Sequence, residues 1–232
     1  MHIGLIGGIG PAATEFYYRG LTDRHAKSGT RLELTIANAE VRDLTQNLAN
    51  KDARKQAQIF AALIARLKAA GAQAAAVTSM GGHFCIGELL PISPLPMLNG
   101  IPEVDAAVRR GKFKTIGIIG TRMVMETQLY GAISSAKVVV PAGAELDEVH
   151  ANYGAMATAG RVNDAQAVCF LLPASASVGN RAPRWCCSAE PTCFLRSRDG
   201  MPASRCSIAP MCTSRRSTRH RCGHRDEMVS GS

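Results

Sequence analysis

Three short stretches hold the groups that could do chemistry. Gly7-Gly8-Ile9-Gly10-Pro11 is a glycine-rich turn ending on a proline, a residue favoured in the first turn of a helix. Successive backbone N–H groups ahead of a helix N-terminus form a cradle suited to a carboxylate. The plainer reading is a tight turn that lets a helix pack on a sheet. Gly120-Thr121 could form a second cradle, with the Thr121 hydroxyl as an extra donor, or could be an ordinary helix cap. Thr78-Ser79-Met80-Gly81-Gly82-His83 combines hydroxyls with glycines that admit a ligand closely, which fits a small polar substrate. His83 could orient that substrate or tune a neighbour, or could simply pack at a helix start.

Other chemistries find no footing. Gly7 to Gly10 is not the G-x-G-x-x-G dinucleotide fingerprint, and no acidic residue follows the second expected strand where a ribose would need one. There is no Ser/His/Asp set with a recognisable elbow, no metal cluster and no phosphate-binding loop. Cys85 is the only thiol before residue 169 and reads as structural. No cofactor is expected.

The elements that must position these loops follow from periodicity. Apolar runs at His2–Ile6, Leu32–Ala37, Ala72–Val77, Thr115–Gly120 and Val138–Val140 predict strands. Helices are predicted over Ala12–His25, Lys51–Ala70, Ile101–Arg110, Met123–Ile133 and Glu145–Ala159. In the first, Phe16, Tyr17 and Leu21 form the inner face. In the second, Ile59, Leu63, Ile64 and Leu67 do so, and Gly71 ends the helix. Strands alternating with helices predict an α/β fold with mostly parallel, doubly wound sheets. The strand, glycine turn and helix pattern occurs twice. It predicts two similar domains, 1–97 and a partial 98–168, with a cleft between them beyond the carboxyl ends of the strands.

Composition divides the chain once more. Residues 1–168 hold 17 Lys and Arg against 14 Asp and Glu, whereas residues 169–232 hold 10 Arg, no Lys and 4 acidic residues. The second part also carries seven of the eight cysteines and ten serines. A disulfide framework would need an oxidising compartment, which nothing upstream indicates. Cys212, His220, Cys222 and His224 match no standard zinc spacing. Arg215, Arg216, Arg219 and Arg221 form a short basic run without interleaved aromatics, a weak basis for nucleic-acid binding. A fourth reading is that 169–232 is out of frame. Back-translated from Ser188 to Phe194 and read from the last base of the serine codon, the text becomes Arg-Gly-Thr-Asp-Leu-Phe. The segment as written is expected to be poorly ordered, because few periodic apolar residues offset its ordering entropy. Apolar runs fall well short of the ~20 residues that span a bilayer, and no basic region precedes the first strand. The expectation is a cytoplasmic protein without a membrane span.

Gly4 to Pro11, Ala13-Thr14 and Tyr17-Tyr18 resemble the start of the aspartate/glutamate racemase family. Ile116 to Arg122, Met125-Glu126, Tyr130, Val140-Pro141 and Val149-His150 continue the likeness, which covers about residues 1 to 165. The out-of-frame text resembles that family's next segments. The resemblance implies a two-domain α/β homodimer that inverts the α-carbon of acidic amino acids without a cofactor. Two facing cysteines exchange the α-proton. The first lies four residues before a histidine in a Cys-Asn-Thr-x-His motif; here that position is Ser79, with Met80 and Gly81 following. The second precedes Thr-Glu, and the recovered frame has glycine before Thr-Asp. The resemblance therefore makes Ser79 and His83 the candidate catalytic residues. Gly8, Ile9, Thr78, Ser79, Gly81 and Thr121 become the substrate-binding set for an acidic amino acid or dicarboxylate, with activity impaired. A non-catalytic binder, or a related isomerase, decarboxylase or hydantoin racemase, is the alternative.

Overall fold

The computed structural model describes residues 1–159, together with Asn163, Gln166, Cys169 and the pair Cys193–Phe194. β1 (His2–Gly7) is the middle strand of a parallel sheet, between β2 (Glu33–Asn38) and β3 (Ala74–Val77). Ile6 lies in register with Ala37 on one side and Val77 on the other. Alternate β1 side chains point to opposite faces of the sheet. Ile3 and Leu5 join Ala76 and meet Tyr17 and Leu21 of α1 (Pro11–Ser28). Ile6 meets Phe60, Ile64 and Leu67 of α3 (Ala53–Ala69) on the other face. Gly4 brings the second helix close, since a Cβ there would sit 2.9 Å from Leu67 Cδ1.

Two local readings are corrected by polar contacts. α2 (Val41–Ala49) was not foreseen from periodicity. It is short and buries a polar residue, Asn47, whose amide donates to Gln56 at 2.9 Å. In α3 the fully buried aromatic is Phe60, while Ile59 is only half-buried. The helix begins at Ala53 because Asp52 caps it, accepting from the Lys55 N–H at 3.0 Å.

A five-residue 3-10 turn (Gly81–Cys85) follows β3 and leads into α4 (Ile86–Leu89). The proline-rich crossover returns along β3: the Ala75 N–H donates to Pro96 O and the Leu98 N–H to Ala75 O. α5 (Gly100–Arg110) then enters the second sheet, in which β4 (Thr115–Ile119) pairs in parallel with β5 (Lys137–Val139). Ile116 and Ile118 face Ile101, Val104 and Val108. Ile119 faces Leu146, Val149, Tyr153 and Met156 of α7 (Ala144–Ala159). The architecture is the expected α/β arrangement of parallel sheets covered on both faces. One exception is β6 (Cys193–Phe194), which pairs antiparallel with β4. Apart from these residues and Cys169, the Cys- and Arg-rich segment read above lies outside the described residues. Among those residues no helix is long and apolar enough to cross a membrane.

The expected helix over 123–133 is much shorter. α6 (Arg122–Glu126) stops, and Gln128, Leu129, Tyr130 and Gly131 follow with φ of 51°, 59°, 59° and 68°. This is a left-handed turn built largely from residues that disfavour it. Leu129 is wholly buried in the second core, and its N–H donates to Val124 O at 2.8 Å. Burial of Leu129 selects this turn over a further helical one.

The entry to β5 hangs on one carboxylate. Buried Asp105 accepts from the Ser135 hydroxyl at 2.7 Å, from the Ser134 and Ser135 N–H groups at 3.0 Å, and from Arg109 at 3.1 Å. The Ser135 and Ser134 donors hold its pKa down from 3.8 to about 2. A carboxyl depressed in the folded state stabilises the fold above its unfolded value, and that contribution is lost as pH falls through the folded one. Asp105→Asn should lower the denaturation midpoint at pH 7, and its gap from wild type should narrow as pH drops from 3.8 toward 2. Urea titrations across that window check this; a gap of constant width would contradict it.

Candidate active site

Parallel strands release their chain ends on one side of a sheet, so the turns after β1 and β3 share an edge. The turn after β1 is glycine by necessity at Gly8. Its φ is +83°, and a Cβ would lie 2.2 Å from Asn38 Oδ1 and 2.5 Å from Ala39 O. Its N–H is not free for a ligand: it donates to Thr14 Oγ1 at 3.1 Å. Thr14 in turn stands 3.4 Å from Thr78 Oγ1. Of the expected cradle, only the Ile9 and Gly10 N–H groups are without a hydrogen-bond partner among the described residues. The Ile9 side chain is buried in the first core, its Cδ1 3.1 Å from where a Gly82 Cβ would be.

After β3, Thr78 is buried and its hydroxyl donates to Ile6 O at 2.9 Å, fastening β3 to β1. Ser79 is 6% exposed, and its Oγ accepts from the Gly82 N–H at 3.3 Å. His83 is buried in the middle of the 3-10 turn, with Nδ1 2.7 Å from Ser79 O. A carbonyl only accepts, so Nδ1 carries the proton. Burial lowers the His83 pKa below 6.5, the bond to Ser79 O opposing the shift, so the ring is neutral at pH 7. His83 thus grips the Ser79 backbone, and no bond joins its ring to the Ser79 hydroxyl. Burial pushes the Cys85 thiol up to about 12, and its Sγ–H donates to Gly82 O at 3.4 Å. That is a structural thiol.

The third turn belongs to the second sheet. Thr121 caps α6, its Oγ1 accepting from the Val124 N–H at 3.4 Å. A Cβ on Gly81 would stand 3.3 Å from Thr121 Cγ2 and 3.6 Å from Ser79 Oγ. Ser79, Gly81 and Thr121 are therefore brought together across the two sheets, and Ile9 joins them through Gly82. Gly8 and Thr78 stand behind, joined through Thr14. Buried side-chain N and O atoms are all partnered among the described residues.

Sequence reasoning quoted three supporting residues for the resemblance without giving them a part at the site. Thr14 is one; its i, i+6 spacing from Gly8 is the signal. His150 is another: its Nδ1 accepts from the Arg122 N–H at 3.1 Å, while the Arg122 guanidinium pairs with Glu126 at 3.2 Å and with Asp147. The third is Tyr130, whose hydroxyl donates to Met80 O at 2.8 Å. Among the described residues no group of three or more His, Cys, Asp or Glu side chains could hold a metal ion. The His220 and Cys222 region lies outside them.

The Asp/Glu/hydantoin racemase family model matches residues 6–172. No curated protein sequence matches the chain. The fold is similar to that of a candidate Asp/Glu racemase from Yersinia pestis, with TM-score 0.59 and 22% identity over 73% of this chain and 77% of that one. It is similar to an aspartate racemase homologue from Pyrococcus horikoshii OT3, with TM-score 0.55 and 21% identity over 69% and 73%. It is also similar to the Picrophilus torridus aspartate racemase, with TM-score 0.56 and 16% identity over 73% and 71%. Family match and shared fold agree with the two glycine-turn motifs at β1 and β4: the chain belongs to the Asp/Glu/hydantoin racemase family.

Proposed function

We propose that this chain binds a small acidic amino acid at the joined turns and is built for cofactor-independent inversion of its α-carbon, with proton transfer impaired. The observation that carries the reading is the convergence of Ser79, Gly81 and Thr121, with the Ile9 side chain packed against Gly82 beside them. Ile9 and Gly10 would supply N–H groups to one carboxylate, and Thr121 the edge of the other subsite. Ser79 would stand at the acid/base position beside the α-carbon. Racemisation needs a base that is anionic near neutral pH. A thiolate meets that need and an alkoxide does not. His83 makes no hydrogen bond to that hydroxyl; its Nδ1–H is bound to the Ser79 carbonyl.

The same observation favours the second reading, a protein that keeps the pocket and binds without turnover. Incubation with L-aspartate in D2O separates the two. The catalytic reading predicts deuterium at the α-carbon above a protein-free control, and the binding reading predicts a thermal shift without it. Ser79→Cys should raise exchange by about 100-fold or more, the usual worth of a positioned acid/base group. No thermal shift with L-aspartate, L-glutamate or succinate would exclude both. Gly8→Ala forces a Cβ into Asn38 and Ala39 and should abolish ligand binding while lowering the melting temperature.

We also infer that residues 169–232 are read out of frame. The family match stops at residue 172, where the composition has just changed. Sequencing the gene across codons 155 to 232 should reveal one inserted or missing base. An intact frame there would overturn the inference.

A further inference from the structure

The left-handed turn after α6 has no role in the carboxylate-binding frame, yet its Tyr130 reaches across to the other sheet. The hydroxyl donates to Met80 O at 2.8 Å and lies 3.5 Å from Gly81 O. Met80 O already accepts from the His83 N–H at 3.0 Å, so the phenol completes its two lone pairs. The ring is held from behind: the Tyr130 N–H donates to Thr127 Oγ1 at 2.9 Å, and Thr127 Oγ1 donates to Met123 O at 2.6 Å. Tyr130 is packed against the second core, beside Leu129. Had α6 continued as a regular helix, Tyr130 would occupy a different face and height. The left-handed φ values of Gln128, Leu129 and Tyr130 are what aim it.

We propose that Tyr130 is a positioning residue, its hydroxyl latching the Met80–Gly81 peptide to the second sheet and so setting the separation between Ser79 and Thr121. Thr121 and Tyr130 flank the same short helix, and Ser79 directly precedes the latched peptide. A single side chain thus measures the gap that a ligand must span. Burial raises the Tyr130 pKa above its ordinary value, so the phenol remains a donor across the physiological range. Without the latch, the segment would still be joined to the second layer through the packing of Met80, but only by van der Waals contact.

Tyr130→Phe in the full chain removes the hydroxyl and keeps the ring. Amide hydrogen exchange should speed about tenfold at Gly81, Gly82 and His83, the loss of one hydrogen bond, while β1 amides stay unchanged. The ligand arm rests on the proposed function: the Kd for succinate should weaken by a similar factor, with the melting temperature moving only a few degrees. Unchanged exchange at residues 81–83 overturns the latch, as does faster exchange spread evenly through β1 and α3, which would make the hydroxyl a general stabiliser. If wild type binds no succinate or L-aspartate, the acidic-ligand reading fails, and the exchange arm still decides the latch by itself.

Discussion

One peptide segment must satisfy two cores at once, and the rest of the arrangement follows from that. Val77 ends β3 in the first core, Met80 is buried in the second among Ile101, Val104, Val108 and Leu129, and Cys85 is back in the first. A buried methionine side chain is worth about 1.5–3 kcal/mol, enough to hold the two layers in register. The excursion is sterically possible only because its neighbours lack side chains. A Cβ on Gly100 would sit 2.8 Å from Met80 Cε, and one on Gly82 would sit 3.1 Å from both Ile9 and Val77. Ser79 lies on the rising limb of this excursion. Its place beside Thr121 is a consequence of where Met80 must go.

A chain that turns twice in four residues buries peptide groups that no ladder can satisfy. Two of its carbonyls are met by the 3-10 turn and by Tyr130. Ser79 O accepts from the Gly82 N–H at 3.1 Å and from His83 Nδ1, and Met80 O accepts from the His83 N–H and the Tyr130 hydroxyl. A buried carbonyl left unmet costs about 1–3 kcal/mol, so these bonds decide whether the segment holds its shape. The left-handed turn that presents Tyr130 has its own cost, about 1–2 kcal/mol for each non-glycine residue. Burial of Leu129 offsets about 1.5–3 kcal/mol of it, and the bonds of Leu129, Tyr130 and Thr127 about 1 kcal/mol each. The terms are close to balance, which is why the turn depends on the whole neighbourhood and not on its own sequence.

That balance explains which features were legible. β1, β3, β4, α3, α5 and α7 carry runs or periodicities of apolar residues, and each was read to within a few residues. α2 was missed although Val41, Leu44 and Leu48 recur at helical spacing, because it is only nine residues long and a buried Asn47–Gln56 pair shares its inner face. The end of α6 was misread because Gln128, Leu129 and Tyr130 are ordinary helix formers locally, and their left-handed state is imposed from outside. At the site, the glycine turns were legible because glycine reports a backbone constraint directly. The partners of those turns were not. Nothing local in Thr14 or Tyr130 says that one will occupy the Gly8 N–H and the other the Met80 carbonyl. His83 shows the same limit: its spacing from Ser79 was read, but only the fold shows that it holds the carbonyl and not the hydroxyl.

The frame and the reacting atom are therefore separable in this protein. Everything that positions Ser79 acts on the backbone: the Val77-to-Met80 packing, the His83 bond to its carbonyl, the Tyr130 bond to the next one and the Gly82 turn. Its Oγ does only one thing for the structure, accepting a long bond from the Gly82 N–H. Sulfur or oxygen at that atom would leave the packing nearly unchanged, since the two side chains have the same shape. Folding therefore places little pressure on the choice between them, whereas proton abstraction places a great deal: each pKa unit of mismatch is about 1.4 kcal/mol. A family member can lose the thiol and retain the turns, the cap and the cross-sheet contacts that a dicarboxylate would require. Folding thus constrains the backbone of this segment and leaves the chemistry of its side chain open to change.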